Sequence, residues 1–298
     1  MQITATMVKE LRDRTGAGMM DCKKALQEAN GNIETAIEEM RKSGVAKAAK
    51  KAGRIAAEGN IIIRENDDAS EFVILEINSE TDFVAKDDSF KAFGDDVARC
   101  ILTQRPADLE QLMQSPLKGD SGQTVEESRQ QLVAKLGENI SVRRFSFFKP
   151  DTGQIGSYLH GNLRIGVLVQ VDGGDDVLAR DIAMHIAGIN PPPVCISENE
   201  VPEELLEKEK QIFMAQAEES GKPAEIIEKM VLGKVKKFVQ EITLLSQPFV
   251  KDTEQTIDQL LKAANATVGE FVRYEVGEGL EKRSDNFADE VMAQAKGE

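Results

Sequence analysis

A run of elements that occurs twice along the chain constrains the fold most strongly. Residues 60–77 hold two alternating apolar segments joined by a polar turn at Asn66–Ser70, and the helical pattern "FKAFGDDVARCIL" follows. The later segment "GQIGSYLHGNLRIGVLVQVDGGDDVLARDIAMHIAG" repeats the order strand, turn, strand and helix. Alternating strands bury one face, which helices can cover. The repeat therefore predicts an α+β fold whose core is two related subdomains, each with an antiparallel sheet and helices on one side.

The first 55 residues carry apolar side chains at helical spacing, which predicts a bundle of three short helices. Thr4 or Thr6 can cap the first helix and Asn32 the third, because their side chains accept backbone N–H groups. The third helix is expected to end at Gly44. The basic stretch "KAAKKAGRIAAEG" then follows, either as a linker or as an extension of that helix.

Further helices and strands are expected around the repeated units. Ser89 is expected to cap the helix that carries Phe90, and "TVEESRQQLVAKLGENI" predicts another helix before the strand "SVRRFSFF". The strand "EFVRYEV" is expected to return to a core sheet. The segment "SDNFADEVMAQAKGE" predicts a final short helix.

Two charged amphipathic helices follow the second repeat and meet at "SGKP" (220–223). Their apolar spacing predicts an antiparallel coiled-coil hairpin, which is typical of a structural or interaction arm. The side chains expected to face each other are Leu205, Leu206, Ile212 and Phe213 from the first helix and Ile226, Ile227, Met230, Val235 and Phe238 from the second.

These patterns predict a division of the chain into five parts. The parts are a helical domain at 1–55, an α+β core at 56–195 that splits near 140–150, the hairpin at 196–244, a return to the core at 245–279, and a C-terminal helical module at 280–298.

Composition narrows the class of protein. Apolar residues make up 41% and charged residues 30% of the chain, which is typical of a folded domain. No apolar stretch approaches the roughly 18 residues that a membrane span needs, and the first residues show no signal-peptide core. We therefore expect a cytoplasmic protein. Its three separated cysteines and two histidines disfavour a zinc site and predict reduced structural thiols.

The charge is distributed unevenly. Residues 1–54 carry 11 Lys and Arg against 7 Asp and Glu, whereas the whole chain has a net charge of −15. An acidic body argues against a general nucleic-acid binder, because phosphate contacts need clustered cations. A basic head can dock onto an acidic protein surface, but a solvated helix face explains the charge equally well.

The sequence does not match the enzyme motifs that its glycines, serines and cysteines suggest. In "GAGMMDCK" the lysine is not followed by Ser or Thr, so the segment is not a P-loop, and the third glycine of a dinucleotide-binding fingerprint is missing. No Ser/His/Asp order is present, and Cys22 fits a core thiol better than a nucleophile. The sequence therefore predicts no catalytic residue, no cofactor and no metal site, and draws attention to surfaces.

Three sets of residues are candidates for a role at the surface. Met19 and Met20 beside a basic rim suit a protein contact, since methionine surfaces repack readily. His160 is expected to begin a hairpin strand and is interpreted from its position as a structural histidine. Phe83, in the polar stretch "INSETDFVAK", either staples the next helix through Phe90 or is exposed, and its spacing leaves both interpretations open.

Two segments, "LRDRTGAGMMDCKKAL" (11–26) and "EINSETDFVAK" (76–86), closely resemble the two signature segments of the bacterial elongation factor Ts family. The stretches "KLGENI", "GSYLHGNLRIGVL", "SGKPAEIIEKMV", "QPFV" and "VGEGLEK" follow in the family's order, so the resemblance covers essentially the whole chain. It implies a guanine-nucleotide exchange factor for the GTPase elongation factor Tu, without covalent chemistry of its own. It also implies a UBA-like N-terminal domain, a two-subdomain core and a coiled-coil hairpin.

The resemblance implies which residues contact the GTPase. Asp82 and Phe83 match the family's intruding pair, in an exchange wedge that we define as Thr81, Asp82, Phe83 and Val84. The other implied contacts are Arg12, Met19, Met20 and Lys23 in the N-terminal domain and Leu136, His160 and Val250 in the core and periphery. The implied partner is elongation factor Tu, either GDP-bound or nucleotide-free. A homodimer or 2:2 complex through the coiled coil is left open, and neither nucleic acid nor a membrane is expected.

Two rival functions remain open on sequence grounds. One is a binding module that contacts its partner through the helical bundle without promoting exchange. The other is an RNA-binding chaperone that uses the basic stretch Lys42–Arg54. Salt-dependent retention of RNA would mark the second.

Overall fold

The computed structural model describes residues 3–118, 122–219 and 223–280. In that part of the chain the α-helices, numbered α1 to α11, span Ala5–Thr15, Met19–Glu28, Ile33–Lys51, Asp82–Lys86, Asp88–Gln104, Leu109–Gln114, Val125–Leu136, Asp176–Gly188, Glu203–Glu218, Ala224–Ile242 and Ile257–Ala263. The strands β1 to β8 span Glu58–Glu65, Phe72–Ser79, Ile140–Phe148, Gln154–Leu159, Ile165–Asp172, Pro248–Phe249, Asp252–Thr256 and Thr267–Glu275. The predicted α+β class is confirmed.

The chain forms two compact units. The first comprises the described residues up to Asn66, those from Val73 to Phe147 and those from Glu275 onward. The second comprises Asp67–Phe72 and the described residues from Phe148 to Tyr274. Each unit has its own three-stranded sheet, with strand order β1-β2-β3 in one and β4-β5-β8 in the other.

Three helices open the first unit, as predicted. The Thr4 side chain caps α1 by accepting the Met7 N–H, and the Asn32 side chain caps α3 by accepting the Thr35 N–H. Gly16 ends α1 with a φ of 64°, a left-handed conformation that glycine adopts without strain. The side chains buried between the helices are Val8, Leu11, Cys22, Ala25, Leu26, Ala29 and Ala36.

The third helix is longer than predicted. It continues through Gly44 to Lys51, so the expected end at Gly44 is wrong and the alternative of a helix extension is confirmed. Gly44 is buried, and a Cβ atom there would lie 3.6 Å from the Cβ of Ala134 on α7. The missing side chain lets α3 and α7 approach closely, and an ion pair between Arg41 and Glu127 joins the same two helices.

Helix α5 covers the sheet of the first unit. Its apolar side packs into a core that also holds β2, and it contributes Phe90, Phe93, Val97, Ala98, Cys100 and Ile101. Asp87 caps this helix by accepting the N–H groups of Ser89 and Phe90, so the predicted cap at Ser89 is wrong by two residues. The Ser89 hydroxyl instead accepts a hydrogen bond from Lys135 Nζ at 2.6 Å.

The second unit repeats the order strand, strand and helix. Strands β4 and β5 pair antiparallel from Gln154↔Val171 to Leu159↔Gly166, and α8 packs against them. A Cβ atom at Gly156 would lie 2.1 Å from the carbonyl oxygen of Ala179, so glycine is needed for this close approach. Strand β8 joins the same sheet, which confirms the predicted return of the chain to a core sheet.

Helices α9 and α10 pack side by side in the second unit. The rings of Phe213 and Phe238 lie 6.3 Å apart, and Ala217 and Val231 are buried. Ile212 and Ile226 are 40% and 46% exposed, so neither is buried between the helices. Leu205, Leu206, Phe238 and Val239 pack in one cluster near the base of the two helices, where Val201 and Ile242 are buried.

Two predictions fall on parts of the chain outside the described residues. They are the meeting point of the hairpin helices at 220–222 and the final short helix at 284–298. Within the described ranges, none of the helices has the length and apolar character that crossing a membrane requires. All three cysteines, Cys22, Cys100 and Cys195, are buried and unbridged, as expected for structural thiols.

Candidate functional site

The short helix α4 presents Phe83 to solvent. Thr81 caps this helix, because its Oγ1 accepts the Val84 N–H at 3.4 Å. The Phe83 side chain is 80% exposed, whereas Val84 and Ala85 pack into the core of the first unit. Successive helix residues point about 100° apart, so one turn is enough to separate these directions. Exposure is therefore confirmed, and the interpretation of Phe83 as a staple is wrong.

An ion pair lies beside the exposed ring. Lys86 Nζ donates to Asp82 Oδ2 at 2.6 Å and lies 6.0 Å from the centroid of the Phe83 ring. The hydrogen bond from Lys86 lowers the pKa of the Asp82 carboxyl, which is therefore ionised at neutral pH. A partner that receives the ring thus also meets one carboxylate and one ammonium group.

Two adjacent residues before Phe83 bond to two adjacent residues after α7. Thr81 donates its N–H to Glu138 Oε2 at 3.0 Å and its hydroxyl proton to Glu138 Oε1 at 2.7 Å. The Asn139 N–H donates to Glu80 Oε1 at 2.6 Å. The structure therefore brings together the stretches "INSETDFVAK" and "KLGENI", which nothing in the sequence pattern itself predicts.

The C-terminal end of α4 is fixed as well. The buried amide of Asn60 on β1 donates to the Ala85 carbonyl oxygen at 2.7 Å. Asp87 follows α4 and caps α5. Burial alone would raise the pKa of Asp87, but hydrogen bonds from Ser89 and Phe90 and the charge of Lys135 lower it, so the cap is ionised. Both ends of the helix that carries Phe83 are thus held from outside.

The N-terminal signature approaches the same region through Lys135. A Cβ atom at Gly16, in the turn between α1 and α2, would lie 4.0 Å from Lys135 Nζ. Leu136, an implied contact, is the last residue of α7 and packs partly against the core of the first unit. The turn that precedes Met19 and Met20 therefore lies beside the helix that leads into Glu138.

The implied contacts of the N-terminal helices lie on the surface. Met19 and Met20 are the first two residues of α2 and are 61% and 75% exposed, and Arg12 and Lys23 are exposed too. The opposite side of α2 carries the buried Cys22, Ala25 and Leu26. The helix therefore exposes two flexible apolar side chains on the side opposite its buried residues.

His160 is exposed at the end of β4 in the second unit. The Leu163 N–H donates to the His160 carbonyl oxygen, and β5 begins at Ile165, so the prediction that His160 begins a hairpin strand is wrong. The residue closes the preceding strand because the chain turns directly after it. Its Nδ1 lies 3.4 Å from the Tyr158 hydroxyl.

Val250, 38% exposed, is held by the other histidine of the chain. The Val250 N–H donates to Nδ1 of the buried His185 at 3.3 Å, so the ring proton lies on Nε2, which is 3.1 Å from Gln247 Oε1. Burial lowers the pKa of His185, and its hydrogen bond to Gln247 offsets only part of that effect. The imidazole is therefore neutral. The sequence pattern did not single out His185.

Glu76, on β2, has a buried carboxylate. Glu76 accepts hydrogen bonds from Gly277 N–H, Asn78 Nδ2, Arg143 Nη1 and Arg144 Nε at 2.9, 3.0, 2.9 and 2.6 Å. Burial alone would raise its pKa, but these hydrogen bonds outweigh burial and lower it. The ionised Glu76 thus joins β2, β3 and the segment after β8 within the first unit.

Comparison with known proteins places the chain among the translation elongation factors. A family model described as "Elongation factor TS" matches residues 80–278. Proteins named elongation factor Ts from Thioalkalivibrio sulfidiphilus, Alkalilimnicola ehrlichii and Methylococcus capsulatus are 60%, 57% and 55% identical over 298, 297 and 296 residues. Those alignments cover 100%, 100% and 99% of this chain and the same shares of the three relatives. The chain belongs to the elongation factor Ts family, which confirms the resemblance.

Proposed function

We propose that this chain binds elongation factor Tu in its GDP-bound form and promotes GDP release by stabilising the nucleotide-free GTPase, so that GTP rebinds. It does so in the cytoplasm, without covalent chemistry of its own. Membership of the elongation factor Ts family supports the partner and the reaction. The observation that carries the proposal is the Phe83 ring, 80% exposed on a helix whose neighbouring apolar side chains are buried.

An exposed phenyl ring can drive exchange through differential binding. Burying a Phe side chain yields roughly 1.5–3 kcal/mol. If the GTPase offers a pocket for the ring only when its helices shift, that free energy favours the shifted state, in which the magnesium and phosphate site is disturbed. By linkage, the factor weakens GDP binding by the same ratio by which GDP weakens factor binding.

The residues of the exchange wedge take different roles in this proposal. Phe83 enters the partner, and Asp82 contributes a charge beside it. Thr81 caps the helix, and Val84 anchors it in the core of the free chain. The other proposed contacts are Arg12, Met19, Met20 and Lys23 from the N-terminal helices and Leu136, His160 and Val250 from the rest of the chain.

We also propose the finer architecture that the family implies. The bundle of α1, α2 and α3 is UBA-like, α9 and α10 form an antiparallel coiled coil, and the five-part division of the chain keeps its predicted bounds. Exposed apolar side chains on the hairpin support a contact with a second copy, in a homodimer or a 2:2 complex. They are Ile212, Met214, Ile226 and Leu232.

The contacts of the basic stretch Lys42–Arg54 support a structural role rather than RNA binding. Lys42 pairs with Glu38 and Glu39, Lys51 Nζ donates to the Gly137 carbonyl oxygen, and Arg54 Nη1 lies 3.4 Å from Glu80 Oε2. Cations that bond within the chain are less available to phosphates. Nucleic acid is therefore not part of the proposal.

Stopped-flow release of a fluorescent GDP from elongation factor Tu tests the proposal. The wild-type chain should accelerate release, and Phe83→Ala should slow the stimulated rate severalfold or more while the fold stays intact. Val177→Ala is the matched control, because Val177 is another exposed apolar residue, 66% exposed on α8. Binding of the GTPase without faster GDP release would support the non-exchanging module instead, and an unchanged Phe83→Ala rate would refute the role of the ring.

A further inference from the structure

Glu138 uses both carboxylate oxygens on a single residue of the exchange wedge. One oxygen accepts the Thr81 N–H and the other accepts the Thr81 hydroxyl proton. Because a hydroxyl group has one proton, this bond directs the remaining lone pairs of Thr81 Oγ1 towards the Val84 N–H, which they accept as the cap of α4. Glu138 therefore sets the geometry of the group that starts the Phe83 helix.

A second set of bonds surrounds this pair. Glu80 accepts the Asn139 N–H at 2.6 Å, and the Asn139 side chain donates to the carbonyl oxygens of Ala52 and Arg54 at 3.4 and 2.7 Å. We call Arg54, Glu80, Thr81, Glu138 and Asn139 the polar junction. It joins the end of α3, the start of the exchange wedge and the connection between α7 and β3.

A helix as short as α4 depends on such outside support. Its five residues, Asp82–Lys86, form little more than one turn, and isolated helices of that length are unstable in water. The buried Val84 and Ala85 fix the inner side of the helix, but Phe83 on the outer side is 80% exposed. The direction in which the ring points therefore depends on how the first turn is held.

We propose that Glu138 is a positioning residue for nucleotide exchange: it holds Thr81 so that Phe83 is presented in the orientation that the GTPase receives. This inference rests on the proposed function. A ring held in place loses less conformational freedom on insertion than a mobile ring. Glu138 thus acts on exchange through Phe83 and not through a contact of its own.

Glu138→Ala should lower the maximal stimulated rate of GDP release by about three- to tenfold, which is the usual scale for the net contribution of a hydrogen bond. Glu138→Gln keeps one acceptor oxygen and should lose less. The half-saturating concentration of the factor should change little, because Met19 and Met20 remain in place. Asp258→Ala, which removes an exposed carboxylate paired with Lys262 on α11, is the control and should leave exchange unchanged.

A double-mutant cycle separates positioning from a general loss of structure. In the Phe83→Ala background, Glu138→Ala should cause no further loss, because the ring through which it acts is gone. Additive losses, or a Glu138→Ala rate equal to wild type while Phe83→Ala is slow, would overturn the inference and leave the proposed function intact. If the wild-type chain does not accelerate release at all, the proposed function fails instead.

Hydrogen exchange on the free chain provides a test that needs no GTPase. Glu138→Ala should speed amide exchange at residues 82–86 about tenfold, while the amides in the middle of α5 keep their protection. Unchanged exchange at residues 82–86 would contradict the inference whatever the GDP assay shows. Equal loss of protection in both helices would assign Glu138 to overall stability and would also contradict it.

Discussion

The first and second units each display an apolar side chain near a buried polar group, but the chemistry of the support differs. Phe83 in the first unit follows β2, which carries the buried and ionised Glu76, and Glu80 directly after the strand accepts the Asn139 N–H. Val250 in the second unit follows Gln247 and is held by the neutral ring of His185. The carboxylate of Glu76 stays ionised well below neutral pH, whereas the neutral imidazole of His185 takes up a proton in milder acid.

The two side chains also differ in their exposed fractions. Phe83 is 80% exposed and Val250 only 38%. The larger exposure goes with the denser support, because α4 is bonded at Thr81 on one side and at Ala85 on the other. A large apolar side chain can remain exposed to water on a well-held helix, because the burial of its neighbours offsets the free-energy cost of that exposure.

Loss of the ionised Glu76 should have the largest effect on stability. Glu76→Ala leaves Arg143 and Arg144 without their shared buried carboxylate, and breaking a buried pair in this way typically costs about 3–5 kcal/mol. Urea unfolding, read from a probe in the first unit, measures the loss. Glu34→Ala, which removes the exposed partner of Arg14, is the control and should shift the melting temperature by no more than about 2 °C. A Glu76→Ala variant as stable as that control would show that the network around β2 contributes little.

The hydrogen bonds of His185 and of Glu76 should weaken at different pH values. A lowered pKa means that stability is present above the ordinary value and is lost as pH falls towards the folded value. The ordinary values are 6.5 for His185 and 4.5 for Glu76. The support of Val250 should therefore weaken as pH falls below 6.5, and that of Gly277, whose N–H donates to Glu76, only below 4.5.

Amide hydrogen exchange at Val250 and Gly277, corrected for intrinsic rates, measures this difference. Protection of Val250 should fall roughly tenfold per pH unit between the ordinary and the lowered pKa of His185. His160→Ala, which removes the exposed histidine, should leave the profile unchanged. If both amides lose protection together near the carboxylate range, the neutral imidazole is not the support of the Val250 turn.

The difference between local and long-range information explains how much of this could be predicted. The caps at Thr4 and Asn32 and the second α+β repeat follow from side chains within a few residues, so the sequence pattern was sufficient. Gly44, in the middle of α3, lies against Ala134 on α7, and no local rule contains that contact. The cap at Asp87 competed with Ser89, whose hydroxyl is bonded to Lys135 from another helix.

The candidate site likewise has a part that the sequence indicated and a part that depends on long-range contacts. The resemblance of two segments pointed to Phe83, Met19 and Met20, and the structure adds that all three are exposed. The bonds from Thr81 to Glu138 join residues 57 positions apart, so neither spacing nor residue type could reveal them. Both residues lie in stretches quoted for the resemblance, which was the one signal available for placing them together.

The exposed ion pair beside Phe83 should have the smallest effect on the fold. Lys86→Ala removes the partner of Asp82, but the Lys86 side chain is 71% exposed, and pairs in water contribute little to stability. We expect the melting temperature to shift by less than about 2 °C. The polar junction and the buried Val84 do not involve Lys86, so α4 should keep its hydrogen-exchange protection. A loss of protection at residues 82–86 as large as that expected for Glu138→Ala would show that the Asp82–Lys86 pair, and not the polar junction, holds the ring. With protection unchanged, any change in GDP release by Lys86→Ala would report the charge that the GTPase meets beside the ring.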